Sequence, residues 1–214
     1  MVITEYQTSK IEIGWRGMAR GRRVNSSGEK SKKLLLEKAI ELFSTYGYHQ
    51  TKISDIVKAA NLTQPTFYLY FHSKETLFND LNEKFQNDLI EIMNCKGNST
   101  NGSKASEVIQ GQLEQILDYF VENPNLTKIG FYEAEQSVVV KQMLVSKLED
   151  MVKTDLQNSA VGKHVDTNVL AESLVGSIER LTLTNLLSEK SSAHKLAEEI
   201  CNIYFSDERM LVLQ

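Results

Sequence analysis

Only two prolines, Pro65 and Pro124, interrupt 214 residues, so long helices are favoured over an architecture of short strands and turns. No apolar run approaches the ~18 residues of a membrane span, and no charged-then-apolar leader opens the chain. These absences predict a cytoplasmic protein with no membrane partner. Two cysteines, Cys95 and Cys201, lack any paired spacing and read as reduced thiols, although counting alone leaves a bond between subunits open. His49, His72, His164 and His194 are scattered, and there is no His-x-x-x-His, Cys-x-x-Cys, phosphate loop or nucleophile elbow. His164 with Asp166 makes two metal ligands without a third. The expectation is therefore no enzyme, no metal and no cofactor.

What is present is 41% hydrophobic and 24% charged residues, enough to bury a sizeable core in one or two domains. The net charge of −4 is unevenly spread. Residues 1–60 hold 11 Lys/Arg against 6 Asp/Glu, a balance of +5, which leaves −9 on residues 61–214. A basic front on an acidic body suits a nucleic-acid-binding part joined to a separate partner-binding part. Arg16, Arg20, Arg22, Arg23, Lys30, Lys32 and Lys33 are the densest cations, and Gly17, Gly21 and Gly28 lie among them. Residues 1–28 read as a flexible basic arm for phosphates or the minor groove, or as a merely solvated terminus, and both can hold. Ile11 to Met18 can be encoded by a purine-rich stretch ahead of an ATG, so residues 1–17 are a candidate untranslated segment with Met18 as the true start.

The stretch from Thr51 to Lys74 organises the rest. Ile53, Ile56, Val57 and Ala60 recur at one helical face, with Thr51 just ahead as a capping hydroxyl and Asp55 in the first turn. Asn61 tolerates a positive φ and can turn the chain sharply. Thr63 is the expected N-cap of a second helix, with Pro65 in its first turn and Phe67 and Phe71 buried four apart. Gln64, Thr66, Tyr68 and Tyr70 are left for other faces. Helix, short turn, helix is the arrangement that lays a recognition helix in the major groove, and it is also an ordinary helical hairpin. Gln can read adenine, Thr can meet a thymine methyl, and Thr, Tyr and Lys can hold phosphates.

Leu34 to Phe78 resembles the N-terminal domain of the tetracycline-repressor (TetR-type) transcriptional regulators. The resemblance is carried by Glu41-Leu42-Phe43, Gly47-Tyr48, Thr51, Asp55-Ile56-Val57, Ala59-Ala60, Thr66-Phe67-Tyr68, Tyr70-Phe71 and Ser73-Lys74-Glu75 at linked spacings. It departs at Asn61, where relatives commonly have Gly, and at Gln64-Pro65, where many have Lys-Gly, so an operator sequence cannot be carried over. The resemblance implies DNA contacts from Thr51, Lys52, Thr63, Gln64, Pro65, Thr66, Tyr68, Tyr70, His72 and Lys74, with His72 and Lys74 at the phosphates. It implies an all-α chain: a three-helix DNA-binding domain over 29–74, then a larger helical domain over 75–214 that binds an effector and dimerises.

The helices follow from apolar spacing. Leu35, Ala39, Leu42, Phe43 and Tyr46 form a stripe ended by Gly47 as a left-handed C′ residue. A fourth helix opens at Lys74-Glu75 and runs to about Met93; in the family it links the two domains, so its tilt can carry a signal. Asn94 to Ser103 is the clearest loop. Ile109, Leu113, Ile116, Leu117 and Phe120 mark helix five, Pro124 begins a short sixth, and Val140, Leu144, Leu148 and Val152 keep the Val-rich segment helical. Two last helices are expected over Thr167 to Leu187 and Ser191 to Phe205. Leu170, Leu174, Ile178, Leu181, Leu196, Ile200 and Ile203 are buried within one subunit or, as the family implies, form a two-fold dimer face. Tyr119, Phe120, Phe131, Tyr132 and Met143 are candidate effector-pocket residues, though aromatics at helical spacing are more often core. The expected function is a dimeric repressor released from a palindromic DNA operator by a small molecule. The alternative is a dimeric helical ligand- or protein-binding module without DNA regulation.

Overall fold

The computed structural model describes residues 26–94, 105–156 and 166–205, and among these every regular element is helical. The basic residues before Ser26, the Asn94–Ser103 loop beyond Asn94, Cys95 and His164 lie outside the described residues. In order the helices are α1 (Ser26–Tyr46), α2 (Ile53–Ala59), α3 (Gln64–Tyr68), α4 (Lys74–Asn94), α5 (Ala105–Glu122), α6 (Pro124–Thr127), α7 (Ser137–Leu156), α8 (Thr167–Leu181) and α9 (Ala193–Phe205). Two wider π-helical turns, Lys128–Glu133 and Thr182–Leu186, extend α6 and α8.

α1 begins at Ser26 and not Glu29, so the last residues expected in the arm are helical. Leu35, Ala39 and Phe43 are buried as their spacing requires, but Tyr46 is 63% exposed and Leu36 takes a core place instead. Gly47 ends α1 at φ 82, and its N–H donates to the Phe43 carbonyl at 2.8 Å. Asn61 turns the chain after α2 at φ 52, with the Leu62 N–H returning to the Val57 carbonyl at 2.8 Å. Thr63 caps α3 through its hydroxyl, and Ser73 caps α4 by accepting from the Thr76 N–H at 3.0 Å.

α4 is the spine. Its first turns bury Leu77 and Phe78 beneath α1, where the Phe78 ring meets Phe43 edge-on at 5.3 Å and Tyr48 at 4.6 Å. Further along, Phe85 stacks on Phe120 of α5 at 6.1 Å and meets Phe131 at 6.5 Å. Gly130 is required here, because a Cβ on it would overlap the Phe85 ring. α6 and its π turn also touch α1, so the body meets the N-terminal helices there as well as along α4. α9 lies along α5, and α8 along α7. The buried residues form one continuous apolar cluster from Leu35 to Cys201.

That packing corrects the expected dimer face. Leu174, Ile178, Leu196 and Ile200 are buried in this chain's own core, because α8 and α9 turn their richest apolar stripes toward α7 and α5. Leu170 and Leu181 are half-buried, and of the seven only Ile203 is exposed. The outward side of α8 carries Val169, Ser173, Gly176 and Arg180, continued by Leu183 in the π turn. The Tyr204 hydroxyl joins α9 to it through Ser173 at 2.9 Å and Ser177 at 2.7 Å.

Candidate nucleic-acid interface

α3 is too short to be stable alone and is held by its neighbours. Phe67 and Phe71 are buried with ring centroids 5.5 Å apart, and Lys32 of α1 stands 5.5 Å from the Phe71 ring. Anchoring that face turns the opposite one outward. Gln64, Pro65, Tyr68 and Leu69 are all exposed, and Leu69 is 77% exposed. Pro65 in the first turn costs no hydrogen bond. Thr63 and Thr66 share a hydroxyl hydrogen bond of 2.9 Å, so each is partly committed locally. Lys52 and His72 are exposed beside this face.

Three of the expected DNA residues are placed otherwise. Thr51 is only 3% exposed, and its hydroxyl donates to the Gly47 carbonyl at 2.9 Å and the Leu42 carbonyl at 3.3 Å. It does not cap α2. Lys52 holds that position, and its N–H donates to the Asp55 carboxylate at 3.1 Å. Tyr70 is half-buried, with its hydroxyl 3.3 Å from where a Cβ on Gly28 would stand, so it faces the start of α1. Lys74, expected at a phosphate, turns its ammonium into the protein. Nζ donates to the Tyr48 carbonyl at 2.7 Å and the Thr51 carbonyl at 2.9 Å, and lies 4.1 Å from the centre of the Tyr48 ring. Burial, and then the nearby Glu75 charge, push the Tyr48 hydroxyl's pKa up.

Leu69, exposed on the same face, is not among the expected contacts because it carries no polar group. The signal was present: two positions from Phe67, it falls on the side of α3 away from the buried ring. The Lys74 carbonyl bonds join residues 26 and 23 apart and leave no periodic trace.

In the body, Phe120 and Phe131 are fully buried with rings 5.1 Å apart, and Tyr119 is buried beside them. Its hydroxyl donates to Asp88 at 2.8 Å, and the same carboxylate pairs with Lys84. Desolvation first, then Asp88, holds the Tyr119 pKa far above its usual value, so it stays a neutral donor. The Tyr132 hydroxyl donates to the Glu179 carbonyl at 2.7 Å, and Lys141 pairs with the Glu179 carboxylate at 2.7 Å. Met143 is half-buried against the same core. The five candidate pocket residues are thus all in or against the core, four of them in one aromatic group. Among the described residues no three metal-ligating side chains cluster, and no helix is long and apolar enough to cross a membrane.

A buried scaffold presenting a short exposed helix beside a tight turn is the arrangement of a helix-turn-helix DNA-binding unit. The profile of the bacterial regulatory proteins of the tetR family matches residues 35–81. An HTH-type transcriptional regulator of Bacillus subtilis, YdgC, is 34% identical over 182 residues, covering 84% of this chain and 93% of that protein. The chain belongs to the tetR family of transcriptional regulators. It is also 22% identical over 166 residues to the fatty acid metabolism regulator protein of B. subtilis, covering 73% of this chain and 84% of that one. The fold matches a TetR-like transcriptional regulator from Rhodococcus sp. RHA1, with a TM-score of 0.68 and 21% identity over 90% of this chain and all of that one.

Proposed function

We propose that this protein is a cytoplasmic repressor that grips a palindromic operator as a homodimer and lets go when its helical body binds a small molecule. One observation carries the DNA part: Phe67 and Phe71 are buried while Gln64, Pro65, Tyr68 and Leu69 stand outward on one short helix. In this reading Gln64 reads a base edge, Leu69 meets a thymine methyl or sugar, and Tyr68, His72, Lys52, Thr63 and Thr66 serve phosphates. The domain division at Lys74–Glu75 belongs to the same proposal.

The pairing surface is the outward side of α8, where Val169, Ser173, Gly176 and Leu183 lie, with Ile203 of α9. Gly176 supports it: a mid-helix glycine costs about 1 kcal/mol relative to alanine, yet among the described residues no other element comes within 4 Å of where its Cβ would stand. Close approach of a second copy of the helix supplies a reason for it. The effector is a neutral or cationic small molecule, since the body is acidic, and Tyr119, Phe120, Phe131, Tyr132 and Met143 are the candidate residues around it. Gln64→Ala tests the operator reading: it should change base preference at one position of a selected site by about 1–3 kcal/mol. Equal losses on selected and scrambled duplexes would remove Gln64 from base reading.

A further inference from the structure

We infer that Lys74 is a positioning residue: its ammonium fixes the α1–α2 turn against the start of α4 and so sets where the recognition helix stands, without itself meeting a phosphate. This rests on the operator-binding reading above. Lys74 is the first residue of α4, where the helix dipole disfavours a cation. The charge is held there by specific partners: two carbonyl oxygens at 2.7 and 2.9 Å and the face of the Tyr48 ring at 4.1 Å. Two of the three ammonium hydrogens are therefore spent inside the protein, and the side chain is half-buried.

The partners are placed to transmit position. The Thr51 carbonyl belongs to the residue just before Lys52, the N-cap of α2, and the Thr51 N–H and hydroxyl both return to the Gly47 carbonyl. The Tyr48 ring is pinned on Phe78 at 4.6 Å and near Phe43 at 5.8 Å, so the turn cannot slide freely over α4. Through these bonds a displacement of the first turn of α4 is handed to the start of α2. α2 in turn holds α3 through the Val57–Leu62 bond and their shared core.

The test compares wild type with Lys74→Met, which keeps the apolar stem and donates nothing, on an inverted repeat selected from random DNA and on a scrambled duplex across a KCl series. The expected result is an unchanged salt slope on both duplexes, with the selected-to-scrambled affinity ratio falling by about tenfold or more, the scale of lost charge-assisted hydrogen bonds. A slope shallower by about 0.9 on both duplexes at an unchanged ratio would make Lys74 a phosphate contact and overturn the inference. So would a folded variant with wild-type slope and ratio, which is what a merely structural role gives. If Lys74→Met does not fold, Lys74→Arg decides: a guanidinium serves a phosphate as well as an ammonium does but misfits the compact carbonyl site. A fallen ratio at constant slope then supports positioning, and an unchanged ratio overturns it. Wild type that fails to discriminate the two duplexes would end the operator reading itself, a result distinct from either variant outcome.

Discussion

Gly130→Ala probes the contact that joins α4 to the turn after α6. A Cβ at this position would stand 2.5 Å from Cγ of Phe85, closer than any relaxed carbon contact, and Phe85 is fully buried between Phe120 and Phe131. The ring has nowhere to retreat, so either it leaves its rotamer or the π turn lifts from α4. Overpacking of this kind costs about 1–3 kcal/mol, while alanine's helix preference returns at most about 1 kcal/mol. A net loss of about 1–2 kcal/mol is expected, read as a fall in Tm of about 3–6 °C for a chain of this size. The added Phe85→Leu change should relieve the clash, so the double variant loses less than the sum of the single ones. Urea and thermal unfolding of the four proteins measure this directly. A Gly130→Ala protein as stable as wild type, or strictly additive losses, would refute the packing described for this seam.

Asn82 of α4 is 3% exposed and neither amide atom meets a hydrogen-bond partner among the described residues, so Asn82→Leu should raise Tm by the worth of about 1 kcal/mol; a fall would show that the amide has a partner in solution. Gly176→Arg should leave the fold intact, since among the described residues its Cβ meets no other element within 4 Å, but give monomers by sedimentation; dimers that persist would move the pairing face elsewhere. Burial pushes the Cys201 pKa up to about 12, so in a Cys95→Ser background it should resist thiol reagents at pH 8 until denaturant is added. Rapid labelling of the folded protein would contradict its burial.

Local chemistry was legible where one residue decides one turn. Gly47 and Asn61 take the positive φ their types favour, Thr63 caps α3, and Pro124 opens α6. Val138 to Val140 are helical, as the longer spacing through Leu144 and Leu148 requires. Periodicity failed where it must, because a stripe says that a face is covered and not by what. Leu174 and Ile178 thus looked ready for a partner chain although α7 covers them. The π turn at Thr182–Leu186 breaks the register that a single helix to Leu187 assumed, which turns Leu183 outward. At the interface the exposed face of α3 could be read from Phe67 and Phe71. The inward turn of Thr51, Tyr70 and Lys74 could not, because their partners are distant in sequence.

The most direct measurement is selection of bound duplexes from a random DNA pool by the purified full-length protein at a stated salt concentration. The account predicts enrichment of one inverted repeat with half-sites one or more helical turns apart, bound two subunits to a site. A folded dimer that enriches no sequence would contradict the claim that α3 reads an operator, and would favour a helical binding module instead.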